Sequence, residues 1–371
     1  MKALRFGRHA AIAVIAAGAL ALSACGSDNA TGTAPAGSQS AGGTKVTGTL
    51  TGIGSSAQGA AMDAWKTNFA SANSGATVQY SPDGSGAGRK AILDGSAQFA
   101  GSDAYLKDDE YASSKSVCGP DGAINVPVYI SPIAVAFNVP GVTDLKLDAT
   151  TVAKIFRGQI TKWNDPAIAA LNAGVSLPDL KVTPVNRSDD SGTTQNFTDY
   201  LNKAAPDIWT AKPAGTWPVQ GGEAAQGTSG VIGAVQGGNG TVGYADESQA
   251  GSLGKALIKV GDAYTGPTAE AAANVLAESK RVEGRGDSSF AFDLNRTTTA
   301  AGTYPIVLVS YQIACSKYSD AAQANLVKGF LTYTTSAEGQ QTAAQAAGSA
   351  PLSDALRAQI EPAISGISAG A

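Results

Sequence analysis

The chain has 371 residues, 43% of them hydrophobic and only 15% charged, with a formal net charge of −4. That length suggests two domains at ~150 residues each, and the composition suits a chain that buries a core, not a disordered or collagen-like one. A net negative charge argues against a nucleic-acid binder, and the single histidine, His9, would be lost on N-terminal cleavage, which removes imidazole-based triads and His-zinc sites together.

Lys2, Arg5 and Arg8 precede a small-apolar run from Ala10 to Ala24. At about fifteen residues the run is shorter than the ~20 that span a bilayer, and residues 1–24 read as a cleavable export signal. Leu22-Ser23-Ala24-Cys25 resembles a bacterial lipobox, whose cysteine becomes the lipidated first residue. An ordinary small-residue cleavage site with a chance cysteine is the alternative. Gly26 to Thr44 carries no large apolar side chain, so residues 25–44 read as the lipidated Cys25 and a flexible tether of roughly 24 Å. An anchor and a leash would hold the folded part just outside a membrane. No later segment is long and apolar enough to span; Val126 to Phe137 is short and broken by Pro127 and Pro132. Cys118 and Cys315 remain, and outside the cytoplasm such an isolated pair is more often a disulfide than a reactive site; two buried free thiols are the other reading.

From Lys45 onward short β runs alternate with helical patterns. Val46 to Ile53 alternates apolar with polar or glycine positions, and Met62, Trp65 and Phe69 then fall on one helical face. Thr77 to Tyr80 reads as a strand, Arg89 to Leu93 as a helix and Gln98 to Ala100 as a third strand. Asp108-Asp109-Glu110 lacks EF-hand spacing and reads as a solvated helix face. Ala123 to Tyr129 and Ile133 to Val139 are the strongest β runs. Thr151 to Phe156 is helical, with Gly158 as its stop. Leu180 to Asn186 is a strand, followed by a helix carrying Phe197, Tyr200 and Leu201. Thr241 to Tyr244 and Ala256 to Val260 are strands, the first entered through an Asn239-Gly240 turn. Tyr304 to Ala314 is a long β run, and helix returns from Ala321 to Tyr333. This alternation predicts an α/β fold with mainly parallel sheets.

Three strand ends lead into similar segments: Gly52-Ile53-Gly54-Ser55-Ser56-Ala57, Asp83-Gly84-Ser85-Gly86-Ala87-Gly88 and Arg187-Ser188-Asp189-Asp190-Ser191-Gly192-Thr193. Each offers hydroxyls and glycines where a helix begins. Helix N-termini present unpaired N–H groups and a partial positive charge, glycine lets backbone approach a ligand, and Ser or Thr adds an O–H donor. Convergence of the three would make an anion site of neutral donors plus one fixed charge, Arg187. Taken singly, each segment reads as ordinary helix capping. Gly84-x-Gly86-x-Gly88 matches neither a dinucleotide fingerprint nor a phosphate loop of the Walker type.

These segments, together with Ser102-Asp103, the stretch from Ile155 to Pro166, Gly230-Val231-Ile232-Gly233, Gly240 to Tyr244 and Ala350-Pro351-Leu352, resemble the phosphate-binding lipoproteins of phosphate-specific ABC importers. The resemblance runs from about Val46 to Ser368. It implies a bilobal periplasmic-binding-protein-like α/β fold of type II, two lobes joined by a two-segment hinge, with phosphate in the cleft. By position it implies donors at Ser56, Ala57 and Ser85, a proton acceptor at Asp103, a positive charge at Arg187 oriented by Asp189, and further donors at Ser191, Gly192 and Thr193. Two departures from the family stand out: Ser56-Ala57 stands where Thr-Phe is frequent, and Asp190 where glycine is common. The stretch from Ile155 to Pro166 reads as helix, turn and Trp packing without a ligand contact.

Pro127 and Pro305 mark β segments flanking a middle block. The expected lobes are therefore 45–127 with 304–371, and 128–303, and Cys118 and Cys315 then fall in the same lobe and pair. The functional expectation is a non-enzymatic, monomeric receptor, lipid-anchored outside the cell membrane, that delivers inorganic phosphate to membrane permease subunits. It calls for no cofactor, metal or nucleic acid. A receptor for sulfate or molybdate, or a surface phosphatase, are the alternatives, and Asp103 is the residue that separates phosphate from sulfate.

Overall fold

The computed structural model describes residues 45–370. The expected export signal, Cys25 and tether lie outside the described residues. β1 (Thr47–Gly54) leads through a turn into α1 (Gly59–Ala72), which buries Met62, Trp65 and Phe69 on one face as their spacing requires. β2 (Gly75–Ser81), α2 (Ser85–Leu93), β3 (Phe99–Ser102) and α3 (Asp108–Ser114) follow. The acidic start of α3 is not simply a solvated face. Glu110 accepts from the buried Arg89 at 3.1 Å and from the Lys107 N–H at 2.8 Å, while Asp108 pairs with Arg285.

The two strongest β runs prove to be one strand, β4 (Ala123–Asn138), buried along its whole length except at Asn138. It is succeeded by β5 (Lys146–Leu147), α4 (Ala149–Phe156) and α5 (Pro166–Leu171). Between these helices Gly158 turns the chain at φ +68°, and Trp163 is fully buried with its Nε1–H on the Gly240 carbonyl at 3.0 Å. β6 (Thr183–Arg187), α6 (Gly192–Ala204), β7 (Glu223–Ala225), α7 (Gly227–Gly237) and β8 (Thr241–Asp246) form a second βα block. The expected strand at Leu180 thus starts later, at Thr183. Short strands β9 (Gly254–Lys255), β10 (Leu257–Val260) and β11 (Ala263–Thr265) precede α8 (Ala269–Ala277) and the hairpin of β12 (Lys280–Arg281) and β13 (Phe292–Asp293). The long strand β14 (Val307–Cys315) is fully buried, and β15 (Lys317–Tyr318), α9 (Ala321–Thr335), α10 (Ala337–Ala347), α11 (Asp354–Ser365) and β16 (Ser368–Ala369) complete the order.

The main sheet runs β2-β1-β3-β14-β4-β8-β6-β7, with β9 also on β4. Its two wings are parallel: β1 pairs with β2 and β3, and β6 with β7 and β8. Its centre is antiparallel, from β3–β14 and β14–β4 to β4–β8 and β4–β9. The expectation of mainly parallel sheets therefore holds only in the wings. There βα units supply the crossovers that parallel pairing requires, whereas β14 comes from a distant segment and is free to run against its neighbours. The result is a bilobal α/β fold, two wings joined through two long strands. Both prolines of β4 sit where a missing N–H is tolerated. Pro127 faces Tyr311 beside a register shift at Ser310/Tyr311, and Pro132 pairs with Val307, the first residue of β14. Cys118 and Cys315 form a disulfide with Cα atoms 4.4 Å apart, excluding the free-thiol reading.

Candidate functional site

The C-terminal ends of β1, β3 and β6 converge, and the three Gly/hydroxyl segments come together around Asp103. Only the third is a capped helix start: the Ser191 hydroxyl accepts the Thr194 N–H at 3.2 Å. α2 begins at Ser85 itself, behind Gly84 at φ +103°, and α1 begins only at Gly59, so Ser55, Ser56 and Ala57 form the turn before it.

The polarity of these hydroxyls follows from their partners. Ser85 Oγ accepts the Asp103 N–H at 3.1 Å, Ser191 Oγ accepts from Thr194, and Ser56 Oγ accepts the Thr228 N–H at 3.0 Å. Each hydroxyl thereby keeps its own hydrogen to donate. Gly192 and Thr193 open α6, and helix geometry leaves their N–H groups without intrahelical acceptors. Ala57 differs from expectation, since its N–H already points at Ser55 Oγ at 3.1 Å. The approach is tight. A Cβ on Gly192 would lie 2.6 Å from Ser85 Oγ and 2.8 Å from Asp103 Cβ, and one on Gly84 would lie 2.5 Å from Asp189 Oδ2.

Asp103 is 3% exposed and is the acceptor within this ring of donors. Its Oδ1 takes the hydroxyls of Ser55 and Ser310, both at 2.5 Å, and its Oδ2 that of Thr193 at 2.9 Å. Arg187, 3% exposed, is held by Asp189 through Nε at 2.8 Å and Nη2 at 2.5 Å, which leaves Nη1 outside the pair. Burial works against the charge of Asp189, but the bond and charge of Arg187 and the Gly227 N–H at 3.1 Å outweigh it and hold this carboxyl below its ordinary range. Arg89 Nη2 lies 3.6 Å from Asp190 Oδ1, beyond hydrogen-bond distance, and the Asp190 side chain packs where a Cβ on Gly86 or Gly215 would sit. Its extra negative charge is therefore faced by a buried guanidinium.

Four contributors go beyond the sequence reading. Ser55 lies in the first Gly/hydroxyl segment, where composition alone does not distinguish it from Ser56. Arg89 had no distinguishing neighbour. Ser310 lies mid-strand, where no local pattern marks it. Thr228 did carry a signal, because Gly227-Thr228-Ser229-Gly230 after β7 has the same Gly/hydroxyl character as the other three segments.

Residues 39–338 match the PBP superfamily domain, and the chain belongs to that superfamily of bilobal binding proteins. It is 38% identical to the phosphate-binding protein PstS 3 of Mycobacterium leprae, over 99% of this chain and all of that one. It is 40% identical to PstS 3 of Mycobacterium tuberculosis strain H37Rv over the same shares. Within the superfamily it is a member of the PstS phosphate-binding protein family. The fold agrees with that of the high-affinity periplasmic phosphate-binding protein PfluDING, at 23% identity and a TM-score of 0.69, covering 85% of this chain and 93% of that one.

Proposed function

We propose that the protein is an extracytoplasmic receptor that captures inorganic phosphate between its two lobes and delivers it to the membrane subunits of an ABC importer. The observation that carries this reading is the ring of O–H and N–H donors from β1, α2 and α6 around one buried acceptor, Asp103. A carboxylate facing an anion is repulsive unless a proton lies between them. Near neutral pH phosphate still carries one and sulfate does not, so such a site favours phosphate over sulfate or molybdate. Ser56, Ser85, Arg187, Ser191, Gly192 and Thr193 are the proposed donors, with Asp189 orienting Arg187, while the Ala57 N–H is already given to Ser55 Oγ. PstS relatives that match over their whole length support this assignment.

In this reading residues 45–127 and 304–371 form one lobe and 128–303 the other, and closure bends the chain where β4 and β14 cross between them. The segment around Arg285 and Ser289 reaches back onto Leu106, Asp108 and Asn125, adding a contact across that boundary. The receptor acts as a monomer, without catalysis, and Cys25 carries its lipid anchor at the outer face of the cell membrane. The test is calorimetry of phosphate-stripped protein against phosphate, arsenate and sulfate, with Asp103→Asn alongside. A micromolar constant corresponds to about −8 kcal/mol. The unsubstituted protein is expected to bind phosphate and arsenate and to reject sulfate. Asp103→Asn, whose amide can donate to the anion, is expected to lose much of that preference with the fold intact. Equal affinity for sulfate in the unsubstituted protein, or release of phosphate from an ester, would overturn the reading.

A further inference from the structure

Behind Asp103 stands a second layer of groups whose hydrogen-bond directions are fixed by chemistry. Gln58, on the turn before α1, is fully buried, and its side-chain amide contacts the Tyr311 carbonyl at 3.0 Å and Ser310 Oγ at 2.7 Å. A carbonyl only accepts, so the Gln58 atom facing it is the NH₂ nitrogen, which has no acceptor capacity. That nitrogen therefore donates to Ser310 as well, and the Ser310 hydrogen must go elsewhere. Its neighbour at 2.5 Å is Asp103 Oδ1. Ser55 follows the same logic: its oxygen receives the Ala57 N–H, and its hydrogen goes to the same Oδ1.

We infer that Ser310 and Ser55, with Gln58 fixing the direction of the first, are positioning residues that saturate Asp103 Oδ1 as an acceptor and so restrict the site to oxyanions that bring their own proton. With two hydroxyl hydrogens on it, Oδ1 has no place for a proton, and the carboxylate cannot rotate without breaking both bonds. Oδ2, which already takes the Thr193 hydroxyl at 2.9 Å, has one acceptor position left for a ligand, and it faces the ligand as an acceptor. Without this support the carboxylate is freer to turn away from the ligand, and the repulsion that turns away an anion with no proton weakens. None of these three residues lies in the Gly/hydroxyl pattern as a donor to the ligand, and Ser310 and Gln58 reach the site only through Asp103.

The inference rests on the phosphate reading, and the test separates the two. Phosphate and sulfate constants are measured at pH 7 for the intact folded chain and for Ser310→Ala, Ser310→Thr and Ser55→Ala, with circular dichroism as the check on folding. The phosphate-to-sulfate affinity ratio is expected to fall about tenfold in Ser310→Ala, as for loss of one hydrogen bond to a charged group. It is expected to fall similarly in Ser55→Ala and to be restored in Ser310→Thr, which keeps the hydroxyl. If Ser310→Ala does not fold, Ser55→Ala carries the test alone. A ratio unchanged in the folded alanine variants, or lost equally in Ser310→Thr, overturns the inference. Failure of the unsubstituted chain to bind phosphate overturns the reading beneath it instead.

Discussion

Gly192→Ala separates the requirements of the fold from those of a closed site. Gly192 is the first residue of α6 and does not occupy the left-handed region, so alanine suits its backbone and the helix loses nothing. The added methyl would nevertheless lie 2.6 Å from Ser85 Oγ, 2.8 Å from Asp103 Cβ and 3.0 Å from the Ala104 nitrogen. Carbon contacts settle at roughly 3.5–4.0 Å, so the two walls must part by about 1 Å. Neither a Cβ nor a backbone nitrogen can rotate out of the way. Overpacking of this kind costs about 1–3 kcal/mol, which corresponds to phosphate binding weaker by about fivefold to 150-fold. Thermal unfolding with and without phosphate is the assay. At a hundred times the dissociation constant a ligand adds about 2.7 kcal/mol of stability, and the variant is expected to lose about 1 kcal/mol or more of that while melting normally when empty. Unchanged phosphate affinity together with unchanged melting would mean that the close approach of α6 to Ser85 and Asp103 plays no part in the bound state.

Thr228→Val removes the hydroxyl 3.0 Å from Ser56 Oγ, and phosphate is expected to bind about two- to tenfold more weakly through faster release in stopped-flow, with Thr228→Ser restoring the rate. Reduction of the disulfide between Cys118 and Cys315, which are 197 positions apart, is expected to lower unfolding stability by about 5 kcal/mol on the chain-entropy account; an unshifted urea midpoint would contradict it. Asp246 is pushed up to about 7 from 3.8 by burial, against hydrogen bonds from Ser248, Ser131 and Tyr129. A carboxyl raised in this way favours the folded state most below its unfolded value, and that contribution is lost as pH climbs to about 7. Stability measured by urea titration is therefore expected to decline across that window in the unsubstituted protein and to decline less in Asp246→Asn.

The wings were legible because their strands are short, their helices are amphipathic, and glycines and hydroxyls punctuate their junctions. Met62, Trp65 and Phe69 fix the buried face of α1 by spacing alone. The centre of the sheet was not legible in the same way. β4 is buried on both faces, so it reads as a continuous apolar run whose direction and partners no periodicity reveals, and Pro127 and Pro132 made it look like two strands. The site divides likewise. Residues on the loops after β1, β3 and β6 announce themselves by composition. Ser310 is one serine in a buried strand, and it meets Asp103 only because β14 lies beside β3. Arg89 shows no charge pattern in sequence, since its partners Glu110 and Asp190 belong to other segments.

The insertion of β14 between β3 and β4 has a consequence for how the chain acquires its shape. Synthesised from the N-terminus, β3 and β4 emerge long before residues 307–315 exist, and each must wait with an apolar edge unpaired. Until then Cys118 has no Cys315 to join. Pairing so distant in sequence has a large loop-closure entropy and forms slowly. Insertion of β14 completes the centre of the sheet, and the same pairing brings Ser310 to Asp103. Binding competence and completion of the sheet thus arrive together, and a chain released before β14 would have neither.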